Sequence, residues 1–123
     1  MAEWESFRGI GVDLVEVERV TQAVKRWGQR FLERVFNPTE LAYCLPKALP
    51  FPHLAARLAA KEAAYKALAT PGLSWRDFWV ENVEGLPCLC CSERVKRQCG
   101  SVQFQLSLSH TRQHAVAMVM ARW

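Results

Sequence analysis

The sequence contains no apolar run near the roughly 20 residues that a membrane-spanning helix requires. Its N-terminus, Met-Ala-Glu-Trp-Glu, lacks the basic and then apolar pattern of an export signal. Internal repeats, linkers and low-complexity tracts are also absent. These absences predict a soluble, cytoplasmic protein that does not contact the membrane.

The sequence also lacks the even, regularly spaced cysteines of a disulfide framework. An odd set without an export signal favours reduced thiols. Structural zinc sites usually use paired Cys-x-x-Cys or histidine spacings, whereas residues 88–91 read Cys-Leu-Cys-Cys on a predicted strand. We therefore interpret the thiols as buried or bystander groups. The five cysteines are Cys44, Cys88, Cys90, Cys91 and Cys99.

Neither sign of charge is in strong excess. The formal net charge of +4 favours anionic partners such as phosphates, acidic proteins or nucleic acid, without choosing among them. The chain has 123 residues, of which 50% are apolar, and this suits a single domain over residues 1–123 with its own core. Because a domain of this size is only marginally stable, association of identical subunits is a reasonable way to bury further surface.

The N-terminal part of the chain reads as a strand followed by helix. Residues 8–15 alternate in the way that predicts a strand with two different faces. Apolar residues then recur at steps of three and four over residues 17–31, which predicts an amphipathic helix, or a helix pair if Gly28 interrupts it. The two strand faces are Ile10, Val12 and Leu14 on one side and Gly9, Gly11 and Asp13 on the other.

The rest of the chain alternates helices with hairpins. Asn37-Pro-Thr-Glu40 has the N-cap, first-turn proline and capping glutamate of a helix start. Thr70-Pro-Gly72 can end the long helix that is predicted over residues 54–68. This order predicts an α+β domain with antiparallel strands packed against a long central helix. The predicted elements are a helix over 37–45, a loop over 46–52, a helix over 54–68, a hairpin with strands at 78–83 and 88–90 around a turn at 84–87, a short helix over 92–98, and a hairpin with strands at 102–109 and 115–121.

Asp13 has two interpretations. It ends an apolar strand whose own face is otherwise glycine, and this leaves room for a ligand or metal beside the backbone. However, an aspartate at the end of a strand commonly caps the following helix. On this fact alone the structural interpretation is favoured.

The long predicted helix carries charges although both of its sides are apolar. Arg57 and Lys61 lie four residues apart, as do Glu62 and Lys66, so each pair projects in nearly one direction. A surface ion pair worth at most about 0.5 kcal/mol is the simplest explanation of the second pair. Together with Asp13, however, Glu62 gives the two carboxylates that suit magnesium, and the three cations suit a pyrophosphate.

Residues 107–111, Ser-Leu-Ser-His-Thr, lead from an alternating strand into a turn. Hydroxyls, an imidazole and free backbone amides could meet a phosphate there. The same residues are ordinary turn formers, so a purely structural role explains them equally well.

Three blocks of the sequence together suggest a family. Residues 9–16 read Gly-Ile-Gly-Val-Asp-Leu-Val-Glu, residues 56–67 read Ala-Arg-Leu-Ala-Ala-Lys-Glu-Ala-Ala-Tyr-Lys-Ala, and residues 107–112 read Ser-Leu-Ser-His-Thr-Arg. In this order and at about these distances, they resemble the short, single-domain holo-acyl-carrier-protein synthases among the 4′-phosphopantetheinyl transferases. Asn37-Pro-Thr-Glu40 and Gly85-Leu-Pro87 also look like family landmarks, so the resemblance runs nearly end to end.

The resemblance implies a fold, a reaction and a set of partners. It implies the 4′-phosphopantetheinyl transferase fold and transfer of the 4′-phosphopantetheine arm of coenzyme A to a serine of an apo acyl carrier protein. This reaction releases 3′,5′-ADP and supports fatty-acid or polyketide synthesis. A homotrimer with active sites between subunits is also implied. Asp13 and Glu62 would hold Mg²⁺ on the coenzyme A pyrophosphate, Lys66 would lie beside the reacting phosphates, and Arg57 and His110 would bind nucleotide phosphates.

The predicted catalytic residues are therefore Asp13, Glu62 and Lys66. Glu62, acting through a metal-bound water, is the candidate base, and Lys66 would stabilise or protonate the leaving phosphate. Two departures from the family bear on the site: residues 69–72 read Ala-Thr-Pro-Gly where Gly-Thr-Gly is usual, and Gln105 stands where a histidine is common. We assign no role to Gln105. The predicted coenzyme A site comprises Arg57, Lys61, Lys66, Thr70, Gly72, Ser109, His110 and Thr111.

Arg19 and Arg26 are predicted to contact the carrier protein. They share a narrow arc of the first helix, opposite its apolar side, and the resemblance implies an acidic carrier. Two other functions fit part of the pattern. A metal-dependent phosphohydrolase would use Asp13 and Glu62 to activate water, and a basic nucleic-acid module would use the arginines of the first helix. The second function leaves both carboxylates without a purpose, so we expect no nucleic-acid partner.

Overall fold

The computed structural model describes residues 7–123 and confirms the α+β class. The N-terminal residues, from which the lack of an export signal is read, lie outside the described residues. A 3₁₀ turn at Trp75–Asp77, which the sequence did not predict, precedes the second strand. The helices and strands are β1 (Gly9–Glu16), α1 (Val17–Trp27), α2 (Gln29–Val35), α3 (Pro38–Cys44), α4 (Pro50–Leu68), β2 (Phe78–Val83), β3 (Leu86–Cys91), α5 (Glu93–Cys99), β4 (Gln103–His110) and β5 (His114–Arg122).

The long helix α4 packs on a three-stranded antiparallel sheet. The strands of this sheet lie in the order β1-β5-β4, and β2 pairs with β3 in a separate hairpin. Alanines of α4 are fully buried against Ala117 and Val119 of β5 and Val20 of α1, which form part of one core. The predicted arrangement of antiparallel strands around a long helix is therefore confirmed. No helix within residues 7–123 has the length and apolar character needed to cross a membrane.

Strand β1 and helix α4 meet without a side chain between them at two points. A Cβ atom added at Gly9 would lie 1.8 Å from the backbone oxygen of Ala67. A Cβ atom added at Gly11 would lie 1.9 Å from the backbone oxygen of Ala63. Both distances are far shorter than van der Waals contact, so only glycine fits at either position.

The opposite face of β1 is apolar and exposed. Ile10, Val12 and Leu14 have relative exposures of 64%, 57% and 65%. In the antiparallel register Val12 lies opposite Met118 and Leu14 lies opposite Val116, and both β5 side chains are exposed as well. We call these five side chains the outer apolar face.

Two elements, α4 and β3, start more than one residue away from the predicted position. The predicted loop over residues 46–52 is too long, because α4 begins at Pro50. Proline suits the first turn of a helix, where its missing N–H is not needed. Strand β3 begins at Leu86 instead of Cys88, because Glu84 and Gly85 alone form the turn, with φ of 53° and 80°.

Other boundary signals are confirmed. Gly28, with φ of 58°, separates α1 from α2, so the helix pair is present. Glu40 accepts a hydrogen bond from the backbone N–H of Asn37 at 3.0 Å, which is half of a capping box at the start of α3. Helix α4 ends at Leu68, and Ala69 follows it in the left-handed conformation.

The five cysteines are free thiols. Cys44 is fully buried in the core, and burial raises the pKa of its thiol to about 11, although the Arg57 charge opposes the shift. At neutral pH Cys44 is therefore a protonated, apolar filler of the core.

Candidate active site

Asp13 lies inside β1 and does not cap the following helix. The strand continues to Glu16, which itself occupies the N-cap position of α1, so the capping interpretation of Asp13 is wrong. Lys66 Nζ donates hydrogen bonds to Asp13 Oδ1 and to the backbone oxygen of Val12, both at 3.0 Å. The fold thus joins two of the predicted catalytic residues across 53 positions of the chain.

Glu62 lies one turn before Lys66 on α4 and projects toward the same edge of the helix. Its Oε1 atom accepts a hydrogen bond of 2.6 Å from the indole Nε1 of Trp75. Trp75 belongs to the 3₁₀ turn after α4, and the sequence analysis gave it no role. Its N–H fixes one oxygen of the Glu62 carboxylate. A cleft of about 320 Å³ beside this pair is lined by Lys61, Glu62, Tyr65, Leu73, Ser74 and Trp75.

The Lys61 ammonium points away from this cleft and into the core. It is fully buried, lies 2.7 Å from Glu40 Oε1, and donates to the backbone oxygens of Trp75 and Phe78. Three acceptors account for its three hydrogens. Burial lowers the pKa of Lys61, and the attraction of Glu40 opposes that shift. This geometry does not support the predicted contact of Lys61 with coenzyme A, because no part of the charge reaches the surface.

The carboxylate of Glu40 connects three elements. Besides Lys61 of α4 and the N–H of Asn37 at the start of α3, it accepts a 2.9 Å hydrogen bond from the backbone N–H of Val80 in β2. Only the capping role of Glu40 was predicted from the sequence, because Asn37 is three residues away whereas Lys61 and Val80 are distant along the chain. Because neighbouring residues of a helix point about 100° apart, Glu62 faces outward while Lys61 enters the core.

Arg57 and His110, the predicted ligands of nucleotide phosphates, both lie beside His53. The rings of His53 and His110 meet edge to face with centroids 4.8 Å apart. The guanidinium carbon of Arg57 lies 4.4 Å from the ring centroid of Tyr43. Tyr43 and His53 were not predicted as site residues, because His53 precedes the predicted helix start at residue 54 and Tyr43 meets it only through a contact between two helices.

The other predicted coenzyme A residues lie in turns or on the sheet surface. Thr70 Oγ1 donates to a backbone oxygen at the end of α4 at 3.1 Å, and Gly72 adopts φ of 86°. Thr111 Oγ1 accepts a 3.1 Å hydrogen bond from the backbone N–H of His114 and so closes the turn between β4 and β5. Ser109 is exposed on β4. Thr70 and Thr111 therefore have local structural roles, and no hydrogen bond joins any of the four to a predicted catalytic residue.

Arg19 and Arg26 are exposed on α1, as predicted for a contact surface. The guanidinium of Arg26 lies 5.0 Å from the ring centroid of Trp27, which is itself half exposed. Helix α1 follows directly after β1, the strand that carries Asp13. A partner on α1 would therefore lie close to the predicted catalytic residues.

Asp13 and Glu62 form a donor set that fits a hard divalent cation. One oxygen of each carboxylate accepts a hydrogen bond, from Lys66 or Trp75, and no described residue donates to the second oxygen. Magnesium usually takes one or two protein carboxylates, with phosphate oxygens and water completing the octahedron. Within residues 7–123 no group of three or more His, Cys, Asp or Glu side chains is arranged to hold a metal ion. An ion held by these two carboxylates would need phosphate oxygens and water to complete its coordination.

Several proteins with similar sequences are holo-[acyl-carrier-protein] synthases. The chain matches the family model of the 4′-phosphopantetheinyl transferase superfamily over residues 9–119. The holo-[acyl-carrier-protein] synthase of Koribacter versatilis is 43% identical over 119 residues, which cover 91% of this chain and 95% of that protein. The enzyme of the same name from Thermus thermophilus is 43% identical over 113 residues, which cover 90% of each chain.

Solved structures lead to the same family. The holo-[acyl-carrier-protein] synthase of Neisseria meningitidis matches with a TM-score of 0.84 and 30% identity, over 95% of this chain and 99% of that chain. The Helicobacter pylori enzyme in complex with coenzyme A matches with a TM-score of 0.80 and 32% identity, over 91% and 98%. None of these similarities supports a phosphohydrolase or a nucleic-acid-binding module. The chain therefore belongs to the 4′-phosphopantetheinyl transferase superfamily and, within it, to the holo-[acyl-carrier-protein] synthases.

Proposed function

We propose that this protein uses Asp13, Glu62 and Lys66 to transfer the 4′-phosphopantetheine arm of coenzyme A to a serine of an apo acyl carrier protein. The observation that carries the proposal is the contact of Lys66 with Asp13, one helical turn from the Glu62 carboxylate that Trp75 holds. Fatty-acid or polyketide synthesis is the process that the product would serve.

The free oxygens of Asp13 and Glu62 are the groups that would hold Mg²⁺. When bound, the ion would neutralise charge on the coenzyme A pyrophosphate and orient it. Lys66 adds a cation at the same edge of α4, and its half-exposed side chain can turn from Asp13 toward a phosphate. Positioning and charge neutralisation are the main contributions that a protein makes to phosphoryl transfer.

The transfer itself requires a base and a stabilised leaving group. The serine oxygen of the carrier attacks the phosphorus on the pantetheine side, and the bond from this phosphorus to the oxygen of 3′,5′-ADP breaks. Glu62, whose free oxygen would also hold the ion, takes up the serine proton through a water that lies between the serine hydroxyl and the carboxylate. Lys66 stabilises the negative charge on the departing phosphate.

A direct assay tests this function. The protein is incubated with coenzyme A, Mg²⁺ and an apo carrier protein, and the mass of the carrier is then measured by mass spectrometry. One added phosphopantetheine per carrier is the expected result. Release of free phosphopantetheine without any carrier would instead identify a hydrolase and overturn the proposal.

The outer apolar face supports a homotrimer with active sites between subunits. Contiguous exposed apolar side chains on a small protein mark an interaction surface, since their burial is favourable at roughly 25 cal/mol per Å². Strand β1 carries this face on one side and Asp13 on the other. Association through the face would therefore bring a second copy of the chain next to the catalytic residues.

Leu14→Glu should dissociate the assembly. A charge in the outer apolar face cannot be buried without a partner, so the mass by light scattering should fall from three chains to one chain of 14.0 kDa. Val83→Glu is the control, because Val83 is also about half exposed but lies on the β2–β3 hairpin. A fully active wild-type protein with the mass of a monomer at micromolar concentration would contradict the trimer.

Arg19 and Arg26 are proposed as contacts for the acidic carrier. Exposed charges at the rim of an interface mainly accelerate encounter and orient the partner. Their position on α1, directly after the strand of Asp13, would direct the carrier serine toward the site. Neither arginine forms an ion pair with a carboxylate in the described part of the chain, so both charges are available to a partner.

Reversal of both charges, with Arg19→Glu and Arg26→Glu, should raise the KM for the carrier about tenfold or more. The salt dependence of kcat/KM should weaken, while the KM for coenzyme A should stay nearly unchanged. Arg97→Glu on α5 reverses one charge at an exposed position elsewhere and is the control for each single reversal. Carrier kinetics equal to those of the wild type at low salt would refute the docking surface.

A further inference from the structure

Two neighbouring residues of α4 hold Trp75, one at its backbone and one at its side chain. The ammonium of Lys61 donates a 3.3 Å hydrogen bond to the backbone oxygen of Trp75. The indole Nε1 of Trp75 donates a 2.6 Å hydrogen bond to Glu62 Oε1. Because the ion pair with Glu40 fixes Lys61 in the core, the backbone of Trp75 is anchored to the turn of α4 that carries the catalytic carboxylate.

The 3₁₀ turn that contains Trp75 is also fixed on its other side. The Asp77 carboxylate is nearly buried, and its Oδ2 atom accepts a 2.8 Å hydrogen bond from the backbone N–H of Ser74. Its Oδ1 atom accepts a 2.7 Å hydrogen bond from Ser92 Oγ, at the start of α5. With the backbone held in this way, the direction of the indole depends only on the two side-chain torsions of Trp75.

Packing in the core does not set those torsions. Trp75 remains 40% exposed and is not one of the side chains that form the core of residues 7–123. Openings lie on both sides of its ring: the cleft of about 320 Å³ beside Glu62, and a groove of about 570 Å³ that Phe31 also lines. The short hydrogen bond to a charged acceptor is therefore the contact that directs the indole.

This hydrogen bond divides the two oxygens of the Glu62 carboxylate. Oε1 is occupied by the indole, whereas no described residue donates to Oε2. A carboxylate with two unoccupied oxygens can rotate, and can bind a cation through either oxygen or through both. With Oε1 held, Glu62 presents one defined oxygen in one orientation before coenzyme A arrives.

We propose that Trp75 is a positioning residue whose indole keeps Oε1 of Glu62 while Mg²⁺ and coenzyme A are bound, so that Glu62 offers the ion a single oxygen. The inference rests on the proposed function, because it requires that Glu62 bind the ion. Hydrogen bonds to metal-binding carboxylates orient them, and removal of such a partner typically lowers metal affinity or activity about 10–100-fold. Trp75 thus acts on the reaction through Glu62.

Trp75→Phe, which removes the N–H but keeps an aromatic ring, tests the inference. The Mg²⁺ concentration for half-maximal transfer should rise about tenfold or more, while the KM for the carrier stays nearly unchanged. Calorimetric titration of the protein with Mg²⁺ at saturating coenzyme A, without carrier, should show the same loss of affinity. Trp79→Phe is the matched control and should equal the wild type, because Trp79 Nε1 also donates to a glutamate, Glu81 Oε1 at 3.0 Å, but on the β2–β3 hairpin.

A second measurement follows the indole itself. The chain has five tryptophans, so ¹⁵N-labelled protein gives few indole N–H resonances. A hydrogen bond to a carboxylate deshields the proton, so the Trp75 resonance should move upfield in Glu62→Gln, which identifies it even if Trp75→Phe does not fold. In the wild type this resonance should stay downfield when Mg²⁺ and coenzyme A are added.

Two results would overturn the inference even if the carrier is modified normally. One is a Trp75→Phe protein with the Mg²⁺ affinity and the rate of the wild type. The other is a Trp75 resonance that moves, on addition of both ligands, to its position in Glu62→Gln, because the ion would then have displaced the indole from Oε1. A wild-type protein that binds neither coenzyme A nor Mg²⁺ would instead overturn the proposed function itself.

Discussion

Replacement of Lys61 by methionine is expected to destabilise the protein by about 3–5 kcal/mol. Methionine fills a similar volume, so the loss comes from charge and hydrogen bonding and not from a cavity. The Glu40 carboxylate, fully buried, would keep its bonds to Asn37 and Val80 but lose its only cation. The backbone oxygens of Trp75 and Phe78 would lose a donor as well. The free energy of unfolding by urea, followed by circular dichroism at fixed protein concentration, measures the effect.

The matched control is Lys96→Met on α5. Lys96 also pairs with a glutamate, Glu93 at 3.3 Å, but both side chains are exposed. Such pairs contribute about 0.3–0.5 kcal/mol, so the control should be nearly as stable as the wild type. A Lys61→Met protein within about 1 kcal/mol of the wild type would show that the buried pair is dispensable, and would reopen a surface role for Lys61.

Asp13→Ala and Glu62→Ala are each expected to reduce transfer by about 10²–10³-fold or more while the fold stays intact. Each change removes one of the two carboxylates available to the cation, and with it the carboxylate acceptor of Lys66 or of the Trp75 indole. Single-turnover rates by mass spectrometry of the carrier, together with Mg²⁺ titration, measure the loss. Asp13→Asn and Glu62→Gln, which keep the side-chain shape, should be almost as inactive because they lack the negative charge.

Two controls separate catalysis from folding in these variants. Glu93→Ala removes an exposed carboxylate on α5 and should leave the rate unchanged. Thermal midpoints of all variants should stay near that of the wild type, since both catalytic side chains lie at the edge of the core. If either alanine variant retained near wild-type turnover with the same Mg²⁺ dependence, the site of two carboxylates would be wrong.

Local signals in the sequence were enough for most of the fold. The alternation in β1, the glycine that separates α1 from α2, and the capping sequence at Asn37 each depend on neighbours within a few residues, and each is confirmed. The start of α4 was missed because three prolines at 46–52 favour a loop when no packing is visible. Pro50 and Pro52 instead occupy the first turn of the helix, where tertiary contacts hold them.

The sequence predicted the direction of a site side chain correctly where the spacing along a helix decides it. The direction was missed where a partner that is distant along the chain decides it. Glu62 and Lys66 lie four residues apart, so their common orientation could be read from the sequence. Lys61 is adjacent to Glu62, yet its ammonium enters the core because Glu40 and two backbone oxygens of the segment after α4 receive it. Trp75 likewise gains its role from a contact between elements, which spacing does not encode.

The glycine contacts between β1 and α4 also bear on which metal ion the site would accept. At Gly9 and Gly11 main chain rests against main chain, so no side-chain rotamer can adjust the separation of the two elements. The backbone that carries Asp13 is thereby held at a fixed distance from the edge of α4, before any substrate arrives. Stiff sites discriminate by size: Mg²⁺ demands near-ideal octahedral geometry at about 2.0–2.1 Å, whereas Ca²⁺ prefers adaptable ligands at about 2.3–2.6 Å. The missing Cβ atoms would therefore disfavour calcium in a cell that contains both ions.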